Sequence, residues 1–468
     1  MKHLLFALVF ALLVLSALPD TAAAAGRRLV VTPEGPYRTI GEALAEAADG
    51  DEILVRGGRH SGPITIDRSV RLIGEGEPEI DGGGQGTVIY VTAPDVEIRY
   101  FRIHGTGESL DQEHAGIYAE APRVRIIGNR FDDVLFGIYL KGAPESLIES
   151  NEITGKEIFV GLVGDGIRLW RSPDSIVREN TVRRTRQVIV QHSDETLVAR
   201  NHLVDNQLGV HVMISHRVTV AENEISGSDA AIYGMYSRDL IVRRNEVTLS
   251  RGPSGYGLGL KDMDNILVEE NRFVGNQEAI YLDNSPRRGG DDSNLFRRNL
   301  FARNDRALLF QPSVVNNIFT ENSFVDNVQQ LKVLGGGEPD GNHWSQAGRG
   351  NYWSDYAGYD ETGDGVGDLP YQPRSLYESL ADRHPVLNWF VASPAVSAVE
   401  MAARVFPTLA GPPRITDGAP LIDPPVPLHE NPPARGGSGL PAVPLALLGG
   451  AAGLLAPGLI RWGRGQQQ

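Results

Sequence analysis

The chain of 468 residues has no cysteine. Disulfide bonds and thiolate metal sites are therefore excluded. Methionine is scarce as well. Apart from Met1, the chain has only Met213, Met235, Met263 and Met401. Because thioether side chains are so few, a position where two of them stack on one face of the fold is informative.

Positive charge is also in deficit, with 44 Lys and Arg against 59 Asp and Glu and a formal net charge of −15. No stretch of the sequence gathers Lys or Arg into a stripe with interleaved aromatic residues. A basic stripe is the electrostatic footprint of a nucleic-acid-binding protein. The composition therefore argues against nucleic acid as a partner.

An asparagine returns about every 22 residues inside one short frame, for example VTVAENEI or LIVRRNEV. The asparagines are Asn129, Asn151, Asn180, Asn201, Asn223, Asn245, Asn271, Asn299 and Asn322. The steps between them are 22, 29, 21, 22, 22, 26, 28 and 23 residues. A fixed period of this length, with β-branched residues alternating with polar ones, indicates a solenoid.

The period and the β-rich composition predict an all-β fold, a right-handed parallel β-helix with coils of about 22 residues. The repeat count predicts nine to twelve coils, stacked about 4.8 Å apart with Val, Ile and Leu inside. We expect each repeat asparagine to lie at a bend, to adopt the left-handed conformation and to form a ladder along the interior.

Both ends of the chain carry apolar segments. Lys2 and His3 precede an apolar run and Ala22 to Ala25 offer a cleavage site, which predicts a signal peptide and export. Leu440 to Ile460 has no charge in 21 residues, followed by Arg461 and Arg464. This favours a membrane span with a cytoplasmic C-terminus, the alternative being an apolar tail that docks on a partner.

These features divide the chain into five predicted segments. They are a signal peptide (1–25), a β-helix with N- and C-terminal caps (26–392), a helix with a Pro/Gly-rich docking or linker segment (393–439), a transmembrane or apolar tail (440–460) and a short polar end (461–468).

Helical periodicity is predicted at two places outside the coils. Residues 37–48 suit a short amphipathic helix that covers the first sheet edge. Residues 393–406 form a second helix, and residues 411–439 read as an extended linker.

Asp360, Asp364 and Asp368 are spaced like a calcium-binding loop. Thr362 replaces one ligand of that pattern and the distal Glu is absent. The pattern therefore favours a hydrogen-bonded turn over a bound calcium ion.

The strongest candidate site comes from aligning GVHVMIS (209–215) with AIYGMYS (231–237), one coil apart. With Val210 and Val212 inside, His211 and Met213 point outward, and Met235 stacks on Met213. An imidazole and two thioethers form a ligand set that suits transient Cu(I) binding. His192 and His216, at nearby bends, are candidate auxiliary ligands.

Two other uses of this face stay open. Trp170, Gln191 and Lys261 share the row of the methionines, and Arg168 and Tyr233 share the row of His211. Such a face also suits partner docking or polysaccharide binding. Because β-helices host carbohydrate-active enzymes, a uronate lyase or epimerase is the alternative function. Its candidate residues are Asp111, Glu113, His114, Asp165 and Arg168.

The GVHVMIS/AIYGMYS tandem, GKEIFVGLVGDGIRLWRS and NYWSDYAGYDETGDGVGDLPY resemble the NosD family, over residues 28 to about 425. His211, Met213 and Met235 fall on that family's H-x-M and following M positions. The resemblance implies a periplasmic, non-enzymatic protein that handles copper during maturation of nitrous oxide reductase. The implied partners are the permease and ATPase subunits of an ABC transporter, a copper chaperone lipoprotein and the reductase apo-enzyme. The helix at 393–406 would then dock on the transporter.

Overall fold

The chain folds as a right-handed parallel β-helix of about 13 turns. A computed structural model describes residues 26–287, 292–336, 339–390, 393–405 and 413–427. The predicted signal peptide (1–25), apolar tail (440–460) and polar end (461–468) lie outside the described residues. One compact unit extends to Leu428, and a second, His429–Gln468, is likewise outside them.

Each full turn contributes one strand to each of three sheets, and neighbouring strands pair in parallel. The first sheet consists of β1 Arg28–Val31, β2 Glu52–Arg56, β5 Arg71–Glu75, β8 Glu97–Arg99, β11 Arg125–Ile127, β14 Leu147–Glu149, β17 Ile176–Arg178, β20 Leu197–Ala199, β23 Thr219–Ala221, β26 Ile241–Arg243, β29 Leu267–Glu269, β32 Asn294–Arg297 and β35 Asn317–Thr320. The second sheet consists of β4 Ile64–Ile66, β7 Ile89–Val91, β10 Ala115–Ala119, β13 Phe136–Lys141, β16 Ile167–Trp170, β19 Val188–Gln191, β22 Leu208–Met213, β25 Ala230–Met235, β28 Tyr256–Lys261, β31 Glu278–Asp283, β34 Arg306–Phe310 and β37 Gln329–Val333. The third sheet consists of β3 Arg59–Ser61, β6 Glu79–Asp81, β9 Arg102–His104, β12 Arg130–Val134, β15 Glu152–Gly155, β18 Thr181–Arg183, β21 His202–Val204, β24 Glu224–Ser226, β27 Glu246–Thr248, β30 Arg272–Val274, β33 Leu300–Ala302, β36 Ser323–Val325 and β38 Tyr352–Trp353.

Helical elements lie outside the coils or between strands. They are α1 Ile40–Glu46, α2 Leu376–Arg383, α3 Pro394–Val405 and two 3₁₀ turns, Val160–Leu162 and Pro385–Phe390. The structure confirms the predicted β-helix but has more turns than the nine to twelve expected. The turns before Asn129 lack the asparagine frame. In the turn below Asn129, Phe101 holds the asparagine position, and the preceding residue, Tyr100, is left-handed with φ of 67°.

The core is built from side chains that alternate inward along each strand. In β22, Val210 and Val212 are fully buried. In the first sheet the inward row is Ile98, Ile126, Ile148, Val177, Val198, Val220, Val242, Val268, Phe296 and Phe319, all fully buried and paired in register. Each such side chain stabilises the fold by roughly 1.5–3 kcal/mol relative to leaving it in water.

A buried asparagine ladder follows the bend between the first and third sheets. It contains the nine predicted residues and a tenth rung, Asn351. Asn223 is typical: its Oδ1 accepts both the backbone and the side-chain N–H of Asn201, each at 2.9 Å. Its Nδ2 donates to the carbonyl of Val198 at 3.0 Å and to Asn245 Oδ1 at 2.9 Å. The ladder therefore satisfies buried polar groups along both directions of the helix.

The expectation that the asparagines themselves adopt the left-handed conformation is wrong. The residue before each one does so, with φ between 51° and 64°: Gly128, Ser150, Glu179, Arg200, Glu222, Arg244, Glu270, Arg298 and Glu321. The asparagine must point inward to reach the next rung, so the preceding, mostly exposed residue takes the change of direction. For a residue other than glycine this costs about 1 kcal/mol, which the ladder offsets.

The two ends of the coil stack are capped differently. At the N-terminal end α1 begins at the cap Thr39, whose hydroxyl accepts the backbone N–H of Glu42, and it buries Ile40 and Leu44. This agrees with the predicted helix at 37–48.

At the C-terminal end, residues 413–427 pack against the last turn, whereas an extended linker was expected over 411–439. The carboxylate of Asp417 is buried and accepts the backbone N–H of Asn351 at 2.7 Å and Trp353 Nε1–H at 3.0 Å. Leu421 pairs with Tyr352. Because Asn351 has no further coil above it, Asp417 supplies the acceptor that the next asparagine would have supplied.

We predict that Asn223→Ala lowers the free energy of unfolding by about 2–4 kcal/mol, since it leaves the backbone N–H of Asn201 and the carbonyl of Val198 buried without a partner. Urea unfolding followed by far-UV circular dichroism measures the change. Thr219→Ala, an outward-facing substitution on the same turn, should change stability by no more than about 0.5 kcal/mol. Equal effects of the two substitutions would contradict a structural role for the ladder.

Candidate functional site

The second sheet presents two outward rows, set by the parallel register. One row runs Lys141, Trp170, Gln191, Met213, Met235, Lys261 and Asp283. The other runs Tyr139, Arg168, Ile189, His211, Tyr233, Gly259 and Tyr281. Met213 and Met235 are direct partners, so their backbones lie about 4.8 Å apart. His211 faces the same side as Met213, two residues earlier on β22.

The imidazole of His211 is mostly buried and hydrogen-bonded on one side only. Its Nδ1 lies 3.0 Å from Gln187 Oε1, which can only accept, so Nδ1 carries the proton. Its Nε2 is buried and has no hydrogen-bond partner within the described part of the chain. Burial lowers the pKa of His211 to about 4. The imidazole is therefore neutral at physiological pH, with the Nε2 lone pair unused.

Gln187 is a residue that the sequence analysis missed. It is buried just before β19, and it also favours the charged form of the Asp165 carboxylate, which lies two turns from His211 toward the N-terminal end of the stack. Asp165 is buried and lies 3.4 Å from Arg168 Nη1. Desolvation raises the pKa of Asp165, and Arg168 opposes that shift. Nothing in the local sequence around Gln187 indicated this role, because its partner is 24 residues away.

Met213 and the two auxiliary histidines make further polar contacts. Met213 Sδ lies 3.4 Å from Gln191 Nε2, one coil below. The ring of His192 packs edge-on against Trp170, with centroids 5.1 Å apart. His216 Nδ1 accepts the backbone N–H of Arg238 at 3.2 Å, which leaves its Nε2 for other contacts. The structure thus places both histidines at the bends beside the methionine row.

Aromatic rings continue from His211 toward the C-terminal end of the second sheet. The His211 and Tyr233 rings are 5.9 Å apart, Tyr233 and Tyr256 stack at 6.4 Å, and Tyr256 and Tyr281 stack at 4.4 Å. The Tyr233 ring lies over Gly259, where an added Cβ would come within 2.4 Å of it. The face beside the methionines is therefore apolar and closely packed.

The structure brings three residues of the alternative enzymatic site near one another: Asp165 lies 3.4 Å from Arg168, and Glu113 is close enough to help raise the pKa of Asp165. His114 bonds within its own loop, with Nε2 2.9 Å from Gln112 Oε1 and Nδ1 accepting the backbone N–H of Ser109. Asp111 is exposed.

The Asp360 loop forms a turn closed by its own carboxylates. Asp360 accepts the backbone N–H groups of Gly363 at 2.6 Å and Gly365 at 2.8 Å, and Asp364 accepts that of Val366. Asp368 accepts the N–H of Glu361 at 2.6 Å. The backbone N–H groups of Gly365 and Gly363 hold the pKa of Asp360 below its usual value.

Among the described residues, no group of three or more His, Cys, Asp or Glu side chains could hold a metal ion. Nor does any helix in the described ranges combine the length and the apolar character needed to cross a bilayer.

A β-helix with one soft, aromatic outward face and charged faces elsewhere defines a protein of the parallel β-helix class. A family model described as "Periplasmic copper-binding protein (NosD)" matches residues 149–358, and one described as "Right handed beta helix region" matches residues 79–213. The chain is 31% identical over 404 residues to a Pseudomonas aeruginosa protein named "Probable ABC transporter binding protein NosD", covering 81% of this chain and 90% of that one. The chain belongs to the NosD family.

Two further similarities are more distant. A Stutzerimonas stutzeri protein of the same name is 28% identical over 379 residues, covering 78% of this chain and 85% of that protein. The solved A-module of the Azotobacter vinelandii mannuronan C-5 epimerase AlgE6 is 10% identical, with a TM-score of 0.44, and covers 65% of this chain and 93% of that one. The NosD relatives are named as binding proteins and their family as periplasmic.

We predict that His211 makes folding stability depend on pH. A folded pKa of about 4, below the usual value of 6.5, means that its contribution is present above pH 6.5 and is lost as the pH falls toward 4. Between pH 7 and pH 5 the loss is about 2 kcal/mol. Urea unfolding at both values, compared with His211→Gln, isolates this increment from the carboxylates. An identical pH dependence in the variant would contradict the depressed pKa.

Proposed function

We propose that the chain is an exported copper-handling and scaffolding protein for the maturation of nitrous oxide reductase, and that it has no catalytic turnover of its own. It receives Cu(I) from a copper chaperone lipoprotein, holds it transiently and passes it to the reductase apo-enzyme. Copper is cargo in this scheme. The observation that carries the proposal is the neutral His211 beside the paired Met213 and Met235 in a member of the NosD family.

The ligand chemistry of the row supports copper over harder metals. Thioethers are soft ligands that select Cu(I), and a neutral imidazole also binds copper. No carboxylate stands in register with the three residues on either neighbouring strand. Because His211 is neutral and its Nε2 carries no proton, metal binding at Nε2 releases no proton from it. The Nδ1–Gln187 bond fixes the tautomer and the ring orientation, as polar partners behind metal-bound histidines do.

The position of the set supports transfer rather than storage. The two methionines are half-buried on an outward strand face, and no described loop encloses them on all sides. Met213 Sδ already accepts a weak bond from Gln191, which a metal would displace. A site of two thioethers and one imidazole, open to partners, releases copper more readily than a closed thiolate site.

We predict that the double variant His211→Ala, Met213→Ala binds Cu(I) at least about 100-fold more weakly than wild type, because it loses two of three ligands. Gln187→Ala, which keeps all three ligands, should lower the Cu(I) affinity roughly tenfold. Anaerobic competition with a chromogenic Cu(I) chelator measures both. Met401→Ala is the matched control, since Met401 is 70% exposed on α3. Wild-type affinity in the double variant would rule out this site.

Docking on an ABC transporter is proposed for the C-terminal helices. On α3, Ala398, Met401, Ala402 and Val405 are all exposed, and their spacing places them on one helical face. The preceding 3₁₀ turn exposes Trp389 and Phe390, and the fraction exposed for Trp389 is 87%. The relatives are named as ABC transporter binding proteins. An apolar face of this size suits the periplasmic side of the permease subunit, with the ATPase subunit bound to it from the cytoplasm.

We predict that Trp389→Ala with Phe390→Ala reduces co-purification with the transporter subunits by at least about tenfold, since exposed aromatic side chains dominate binding energy at such interfaces. The control is Tyr359→Ala, a similarly exposed aromatic residue in the Asp360 loop. Point substitutions are preferable to truncation at residue 393, which would remove the Asp417 cap along with α3. Unchanged co-purification would move the docking surface onto the coils.

A further inference from the structure

The connection between β15 and β16 departs from the regular bends. Residues 156–166, which we name the apolar loop, contain the 3₁₀ turn Val160–Leu162. Phe159, Val160 and Leu162 are 73%, 59% and 54% exposed. Exposing three apolar side chains of one short loop to water costs solvation free energy, which a purely structural loop would avoid.

The apolar loop is held firmly at both ends. Lys156 is buried and its ammonium lies 2.9 Å from Asp133, while the backbone N–H of Arg186 donates to the Gly164 carbonyl at 2.8 Å. The side chain of Gln207 donates to the carbonyl of Val160. Exposure of the tip is therefore a fixed feature of the loop and not the result of a missing anchor.

A cavity of about 590 Å³ lies beneath the loop, a size typical of binding pockets. Ile158, Val160, Val163 and Pro253 form its apolar walls. Polar groups at its rim come from the bends of the following turns.

Acidic side chains around this cavity exceed the basic ones. Lys156 and Arg184 line it but are already paired, Arg184 with Glu157 at 3.2 Å. Asp205 and Asp229 line it without a basic partner. Asp229 accepts the backbone N–H of Ser254, whereas Asp205 has no side-chain bond to any residue of the described chain. The cavity therefore favours a cationic group next to an apolar one.

We propose that the cavity and the apolar loop form a docking site for a partner polypeptide that presents a large apolar side chain beside an Arg or Lys. The apolar side chain fills the cavity and the basic group pairs with Asp205. A polypeptide also covers Phe159 and Leu162, which a small molecule inside the cavity would leave in water. The acidic rim repels the anionic headgroups of a membrane surface.

One wall of the docking site adjoins the strand that carries the candidate metal ligands. Gln207, which holds the loop tip, directly precedes β22 with His211 and Met213. A partner seated on the apolar loop would therefore lie near the start of β22, the end of that strand that is closer to His211 than to Met213. That consequence rests on the copper function proposed above, whereas the docking site itself does not.

The test uses three 12-residue peptides as probes: one with a central Trp flanked by Arg, one with Glu in place of Arg, and one with Ser in place of Trp. 4-Fluorophenylalanine placed at position 159 of the full chain reports binding at the loop by its ¹⁹F shift. We expect the Arg–Trp peptide to bind at least about tenfold more tightly than the other two, since the other two lose the charge pair or the apolar anchor.

Two matched variants decide whether the cavity is responsible. Asp205→Asn should lower the affinity for the Arg–Trp peptide at least threefold. Asp326 occupies the equivalent bend position of another turn and has nearly the same φ as Asp205, so Asp326→Asn should leave the affinity for the peptide unchanged. Val160→Ser with Leu162→Ser should abolish the shift, and Leu249→Ser, another exposed apolar residue, should leave it unchanged.

Three results would overturn the docking site. They are no ¹⁹F shift up to millimolar peptide, equal affinity for the three peptides, and equal effects of Asp205→Asn and Asp326→Asn. Cu(I) affinity measured on the same variants separates the two proposals. Normal copper binding with no peptide binding removes only the docking site, and the reverse removes only the copper function.

Discussion

The in-register stacking of turns, fixed by the buried asparagine ladder, is the constraint on which the rest of the structure depends. A parallel β-helix has no hairpin turns to set its register, so each turn is aligned by bonds to its neighbours. Each carboxamide bonds to the turn below and the turn above, as Asn223 does with Asn201 and Asn245. A shift of one residue would break these bonds and turn the inward valines outward.

The outer rows follow from that register, and they differ between sheets. On the first sheet, Arg and Glu side chains pair between turns, as Arg178 with Glu149 at 2.6 Å and Arg297 with Glu269 at 2.7 Å. Around β22 and β25 the second sheet instead carries an imidazole, thioethers and phenols. Burial raises the pKa of Tyr233 and of Tyr256 to about 12 and lowers that of His211 to about 4, so all three rings are uncharged at neutral pH. This stretch suits soft ligands and apolar partners, whereas the salt-bridged rows suit solvent.

Departures from the regular coil mark the other places where the molecule can meet partners. The last turn ends on Asp417 and an aromatic stack in which Trp353 and Tyr371 lie 4.4 Å apart. Beyond that cap, α3 presents an apolar face that the β-helix does not cover. The loop at 156–166 interrupts the bends midway and exposes Phe159. Regular turns satisfy their own polar and apolar groups, so exposed apolar side chains are concentrated where the repeat is broken.

The sequence by itself determined the β-helix, its period and the pairing of Met213 with Met235, because these follow from the spacing of residues 22 apart and from strand alternation. It also determined which side of β22 bears His211. Only the tertiary structure decided that Gln187 binds His211, that burial depresses the pKa of that imidazole, that the residues before the asparagines are left-handed, and that 413–427 close the stack through Asp417. Local periodicity encodes neighbours one turn apart. It carries no information about desolvation or about partners such as Asn351 and Asp417, which are 66 residues apart.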